Sequence, residues 1–151
     1  MNIRELIKIL PEVISVEGPT NLEINSVTDD SRQIKEGALF VAVLGENFDG
    51  HHFIHEVIKA GAKAVIGEKP KPLYMAKDIT YIRVKNSRKA LAISAAWFYG
   101  FPGEKLKLIG VTGTSGKTTT TYLIRAMLKE VGVTSGVIGT IGNIINDHKL
   151  P

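Results

Sequence analysis

The sequence predicts an α/β protein: a small N-terminal α/β domain, then the start of a second α/β unit that opens on a phosphate loop. Three observations carry that expectation. The apolar runs at residues 38–44 and 62–67 flank a helix-patterned segment, which is the strand–helix–strand unit of a parallel sheet. The first of these runs is continuous rather than alternating, as expected of a strand buried on both faces. Further along, a glycine-rich turn joins an apolar run at 106–109 to a segment with helical character.

Taken in order, Asn2 can cap a short helix through Leu10, with Ile3, Leu6, Ile7 and Leu10 on one face and Pro11 as its stop. Extended pieces follow at 13–16 and 24–28. Lys35-Glu36-Gly37 reads as a turn before the apolar run at 38–44, and Gly45 opens a polar loop. A helix fits 51–60, with Phe53, Ile54, Val57 and Ile58 facing inward and Gly61 ending it. After the loop Lys69-Pro70-Lys71-Pro72 comes a strand at 80–84. Asn86 or Ser87 then caps a helix through Tyr99, which Gly100 and Pro102 break. These breakers place a domain boundary there, giving domains at 1–101 and 102–151. In the second, a strand at 135–140 runs into residues 141–145, and Asn146-Asp147 suggests a hairpin turn. One crossover cannot cover both faces of a sheet, so the sequence is expected to be a fragment of a longer protein.

Composition narrows the function classes. With 44% hydrophobic and 23% charged residues the chain reads as an ordinary soluble protein, and no apolar run approaches the ~20 residues of a membrane span. No membrane partner is expected. The absence of cysteine excludes a disulfide framework and thiolate chemistry, and with no signal-peptide pattern at the N-terminus it makes a cytoplasmic location the default. The net charge of +4 is spread evenly, without a dense basic block or interleaved aromatics, so nucleic acid is not the expected partner. Anionic small molecules account for it equally well.

The turn itself is Gly110-Val111-Thr112-Gly113-Thr114-Ser115-Gly116-Lys117-Thr118-Thr119-Thr120. A strand, a glycine-rich turn and a helix in that order form a phosphate cradle, because backbone N–H groups and the positive end of the helix face one anion. Gly113, Gly116, Lys117, Thr118 and Thr119 form the phosphate-binding set, and Thr114 and Ser115 add backbone donors. Lys117, the candidate catalytic residue, supplies charge for the β- and γ-phosphates, and the Thr118 hydroxyl is placed to ligate Mg²⁺. The strict pattern GxxxxGK[ST] would require glycine at Val111, so this loop has its own glycine spacing.

That offset loop resembles the ATP loop of the Mur ligases, which build the peptide stem of bacterial cell-wall precursors. Thr28-Asp29-Asp30-Ser31-Arg32, residues 37–42, Asp49-Gly50-His51-His52-Phe53-Ile54 and residues 61–66 resemble the UDP-sugar-binding domain of the same family. The resemblance implies ATP and Mg²⁺ as cofactors, and UDP-N-acetylmuramoyl-dipeptide and a diamino acid as substrates. The implied reaction is carboxylate–amine ligation through an acyl phosphate, carried out by a monomer. The N-terminal pattern is shared by members adding the third residue and members adding the terminal dipeptide. Residues 136–143 favour the former, whereas Ser115 is familiar from the latter. A non-catalytic UDP-sugar-binding or phosphate-loop module is the alternative from another class.

Ser31, Asn47 and Phe48 are the expected contacts of the UDP-substrate. For Ser31 the competing account is a hydrogen-bonded turn with a local Asp30–Arg32 ion pair. Phe48 could stack on uracil or pack against the next helix. His51 and His55 stand one helical turn apart, yet nothing completes a metal set, so capping and surface hydrogen bonding are the expectation. Trp97, Phe98, Tyr99 and Phe101 are expected to pack in the core and at the domain junction.

Overall fold

A computed structural model describes residues 1–45, 48–145 and 148–150. The chain divides into two compact units, Met1–Leu106 and Lys107–Pro151. Residues 101–105 belong to the first because the Phe101 amide donates to Ala96 and the Glu104 amide to Phe101, which ties a short 3-10 turn to the preceding helix.

The first unit is built on a sheet ordered β1-β5-β4-β3-β2, from Val13–Glu17 (β1), Ser26–Thr28 (β2), Ala38–Val41 (β3), Ala64–Gly67 (β4) and Thr80–Val84 (β5). Strands β2 to β5 run parallel, and β1 closes one edge antiparallel to β5. Every residue of β3 and β4 is buried, as continuous apolar runs require. Alternate side chains serve opposite faces. Leu39, Val41, Ala64, Ile66, Ile82 and Val84 meet helices α1 (Ile3–Ile9) and α3 (Ser87–Phe98) through Ile3, Leu6, Ala90 and Trp97. Phe40, Val65 and Tyr81 meet α2 (Ile54–Lys59) through Ile54 and Val57.

Local chemistry explains the helix ends. Asn2 caps α1 by accepting from the Arg4 amide, and Asn86 caps α3 by accepting from the Lys89 amide at 2.9 Å. The helix expected at 51–60 opens instead as a 3-10 turn, Gly50–Phe53, capped by Asp49, before α2 begins at Ile54. Of the aromatic group ending α3, Trp97 lies in the core, whereas Tyr99 is exposed.

The second unit holds helix α4 (Lys117–Glu130) and an antiparallel meander, Gly136–Gly139 (β6), Gly142–Ile145 (β7) and His148–Leu150 (β8). The strand expected at 106–109 does not form. A strand needs a ladder partner, and β6 pairs with β7 instead, so Leu108 and Ile109 are exposed. The turn between β6 and β7 falls at 140–141, inside the stretch expected to be continuous. The hairpin turn expected at Asn146-Asp147 lies outside the described residues, between the paired strands β7 and β8. Val137 is the one buried hydrophobic side chain among the described residues of this unit.

Candidate functional site

Parallel strands β2, β3 and β4 all end at one edge of the sheet, where open α/β sheets bind ligands. Two of the expected UDP-substrate residues, Ser31 and Phe48, follow β2 and β3 at that edge. The third, Asn47, lies outside the described residues. Ser31 opens a 3-10 turn whose cap, Asp30, accepts from the Arg32 amide. Both Asp30 carboxylate oxygens are bound by the Arg32 guanidinium at 2.8 Å, and Gln33 donates to Oδ2 at 3.1 Å. These bonds, led by the guanidinium, hold the Asp30 carboxyl well below the usual carboxylate range. The local ion-paired turn weighed against a binding role for Ser31 is therefore present. It consumes Asp30 and leaves the Ser31 hydroxyl without a hydrogen-bond partner among the described residues.

Phe48 is 59% exposed, and its ring stacks on Phe53 with centroids 5.2 Å apart and planes 20° apart. Its carbonyl accepts from the Gly45 amide at 2.8 Å, and Leu44 bridges to Asp49. Packing against the start of α2 and presentation of the ring to solvent thus coexist: one face is held and the other is open.

Beside Phe48 lies a polar network the sequence did not reveal. His51, expected at the surface, is 8% exposed. Its Nδ1 is 2.6 Å from Asp49 Oδ1, and its Nε2 accepts from the amides of Glu68 at 2.9 Å and Lys69 at 3.3 Å. Accepting at Nε2 fixes the tautomer, with the proton on Nδ1 facing the carboxylate. Burial alone would raise the Asp49 carboxyl, but hydrogen bonds from the Lys69 ammonium and from the His51 amide and ring hold it below the usual range. Glu68 Oε1 accepts from the Ser87 amide at 2.8 Å and the Ser87 hydroxyl at 2.7 Å, and that hydroxyl accepts from the Leu44 amide at 3.2 Å. Tyr81 donates to the Lys69 carbonyl at 2.7 Å, and its phenol is pushed up to about 12, chiefly by burial. Gly67 makes room for this cluster, since a Cβ there would lie 2.5 Å from Tyr81 Oη and 2.7 Å from His51 Nε2. The available signal was Asp49-Gly50-His51 itself. Its partners Glu68 and Ser87 are distant in sequence and carry no motif.

In the second unit the glycine-rich loop at 110–120 is exposed apart from Val111, which is half-buried. Helix α4 starts at Lys117, directly after the glycine-rich turn, so the threonines form its first turns. Gly116 precedes it at φ 76°, a left-handed conformation that lets the chain enter the helix with its amides exposed. Lys117 Nζ donates to the Gly113 carbonyl, and Thr121 Oγ1 to the Thr118 carbonyl at 2.8 Å. The hydroxyls of Thr118 and Thr119 have no partner among the described residues. A 14-residue helix with an open glycine approach, a lysine folded over the loop and free hydroxyls in its first turn fits a phosphate group. For Mg²⁺ the fit is narrower. Thr118 offers one oxygen, and the described residues hold no cluster of three His, Cys, Asp or Glu. A Mg²⁺ ion here would take most of its ligands from phosphate and water, its usual preference.

Comparison with known proteins follows the same division. The family description "Mur ligase family, catalytic domain" matches residues 23–99, and "Mur ligase middle domain" matches residues 111–151. The chain belongs to the Mur ligase family. Members of this family are ATP-dependent ligases. This Mur ligase chain is 47% identical to the UDP-N-acetylmuramoyl-L-alanyl-D-glutamate–2,6-diaminopimelate ligase of Clostridium tetani, over 99% of its own length and 31% of that relative. It is 36% identical to a MurF ligase from Thermotoga maritima solved in complex with ADP, over 70% of this chain and 23% of that one, with a TM-score of 0.52. The structure of a UDP-N-acetylmuramoyl-L-alanyl-D-glutamate–2,6-diaminopimelate ligase covers the whole chain, and 30% of its own, at a TM-score of 0.75 and 24% identity, a likeness of fold. The chain thus spans about a third of the relatives it matches. No helix among the described residues is long and apolar enough to cross a membrane.

Proposed function

We propose that this chain is the N-terminal part of a cytoplasmic, monomeric Mur ligase that adds the third residue to UDP-N-acetylmuramoyl-L-Ala-D-Glu. The observation that carries the reading is the joint presence of two differently built sites. A uridine site at the sheet edge has Ser31 and Phe48 available, and a triphosphate site is formed by Gly113, Thr114, Ser115, Gly116, Lys117, Thr118 and Thr119. Asn47 joins the first site by its place in sequence. The 47% identity to the Clostridium tetani ligase supports addition at the third position, with 2,6-diaminopimelate as the amine.

The chemistry needs both sites. A carboxylate is a poor electrophile, and transfer of the γ-phosphoryl group from ATP to the D-Glu carboxylate gives it a leaving group. The amine of the diamino acid then attacks the acyl carbon and expels phosphate. Lys117 stabilises charge on the transferring phosphoryl group, and the Thr118 hydroxyl would help hold the Mg²⁺ that accompanies ATP, which would neutralise charge on the phosphates. The uridine site fixes the far end of the substrate, so that binding energy remote from the reaction orients it.

Ligand binding tests the reading directly. UDP-N-acetylmuramoyl-L-Ala-D-Glu is expected to raise the melting temperature of this chain, with a shift that grows as the logarithm of ligand concentration above Kd. Absence of any shift at millimolar ligand would rule out the uridine site. In the ligase that contains this chain, ADP release should depend on diaminopimelate. Equal release with D-Ala-D-Ala would favour the dipeptide-adding members instead.

A further inference from the structure

Phe48 is held from both sides by one dipeptide that is remote in sequence. On its C-terminal side, Asp49 is bound by the Lys69 ammonium and by His51, whose Nε2 accepts from the Glu68 and Lys69 amides. On its N-terminal side, the Leu44 amide donates to Ser87 Oγ at 3.2 Å, and Ser87 donates to Glu68 Oε1 at 2.7 Å. The Gly45 amide then reaches the Phe48 carbonyl at 2.8 Å. Glu68-Lys69 directly follows β4, a rigid buried strand. Arg83 and Tyr81 of the neighbouring β5 pin it further by donating to the Glu68 and Lys69 carbonyls at 3.0 and 2.7 Å.

We infer that Glu68 and His51 are positioning residues of the uridine site, which fix Phe48 by clamping Leu44 and Asp49 to the end of β4. The inference rests on the uridine-site reading above. Glu68 acts through Ser87 and Leu44, and His51 acts through Asp49. A π-stacking contact is sensitive to ring placement, so loosening either clamp weakens the ligand without removing any group that touches it. A charged acceptor suits this task. Glu68 Oε1 receives two donors from Ser87 and orders the first turn of α3 together with the Leu44 flank.

Calorimetric titration of UDP-N-acetylmuramoyl-L-Ala-D-Glu into the chain and its Glu68→Ala, Ser87→Ala, His51→Ala and Glu68→Gln variants tests the inference, with ATP titrated in parallel. His51→Ala should weaken the uridine ligand alone, and parent-like affinity in it would overturn the role of His51. Glu68→Ala and Ser87→Ala should each weaken the uridine ligand about tenfold, as loss of a supporting hydrogen bond commonly does, and leave ATP affinity unchanged. Glu68→Gln keeps an acceptor oxygen and should bind near the parent value. Hydrogen exchange should show faster exchange of the Leu44 amide in Glu68→Ala and Ser87→Ala. Parent-like affinity in Glu68→Ala and Ser87→Ala, even with lowered melting temperatures, would overturn the inference. If Glu68→Ala does not fold, Ser87→Ala decides, since it removes a single hydroxyl. A parent chain that binds no uridine ligand defeats the site reading and this inference together. A parent that binds, with variants that bind as well, defeats this inference alone.

Discussion

Asp49 Oδ1 and His51 Nδ1 lie 2.6 Å apart, and the opposite nitrogen of the same ring accepts the Glu68 amide at 2.9 Å. The imidazole is therefore a spacer between a loop and a strand end. Both its nitrogens are committed to the protein, which removes it from the candidates for metal binding or proton transfer.

Replacing Asp49 by Asn should cost about 2 kcal/mol of stability near neutral pH, because charge-assisted bonds to Lys69 and His51 are lost. The folded carboxyl titrates below its ordinary value of 3.8, so its contribution is complete above that value and is lost as pH falls through the folded one. Urea unfolding should show the gap between wild type and Asp49→Asn narrowing from about pH 5 to about pH 3. A gap of constant size would contradict the assignment.

Gly67→Ala should destabilise the first unit by about 1–3 kcal/mol, since the new methyl would press on the Tyr81 hydroxyl and His51 Nε2. Thermal melting measures it. An unchanged melting temperature would mean that the cluster yields freely.

Phe48→Ala separates packing from recognition. The ring is 59% exposed and, among the described residues, stacks on Phe53 as its aromatic neighbour, so stability should fall by no more than about 1 kcal/mol. Affinity for the uridine ligand should fall about tenfold, the loss of one base–aromatic stack. Equal affinity in titration would remove Phe48 from the site.

Lys117→Ala should leave the melting temperature unchanged, because the lysine's bond to the Gly113 carbonyl lies on an exposed loop. ATP affinity should fall at least about tenfold, and the intact ligase should lose activity. Filter binding and an ADP-release assay report the two effects, and normal ligation would exclude the role given to Lys117.

What was legible in the sequence was local. Strand β5 and the cap of α3 by Asn86 follow from β-branched residues and a side chain that accepts from its own helix. The glycine-rich turn and the helix that follows it were legible for the same reason, since their pattern is contiguous. The edge pairing of β1 with β5 and the turn at 140–141 depend on contacts that no short pattern encodes. The expected strand at 106–109 failed because apolar character alone supplies no ladder partner. His51 looked like a surface residue because its partners Glu68 and Lys69 stand 17 and 18 positions away.

The uneven burial of the two units has a calorimetric consequence. Heat capacity change on unfolding follows the apolar surface newly exposed, and the described residues of Lys107–Pro151 bury one hydrophobic side chain, Val137. The melting endotherm of this chain should therefore report residues 1–106, with a heat capacity increment of about 1.4 kcal/mol/K rather than the roughly 2 kcal/mol/K of a chain folded evenly over its 151 residues. ATP at the proposed loop site, outside that cooperative block, should shift the endotherm far less than a uridine ligand of equal affinity.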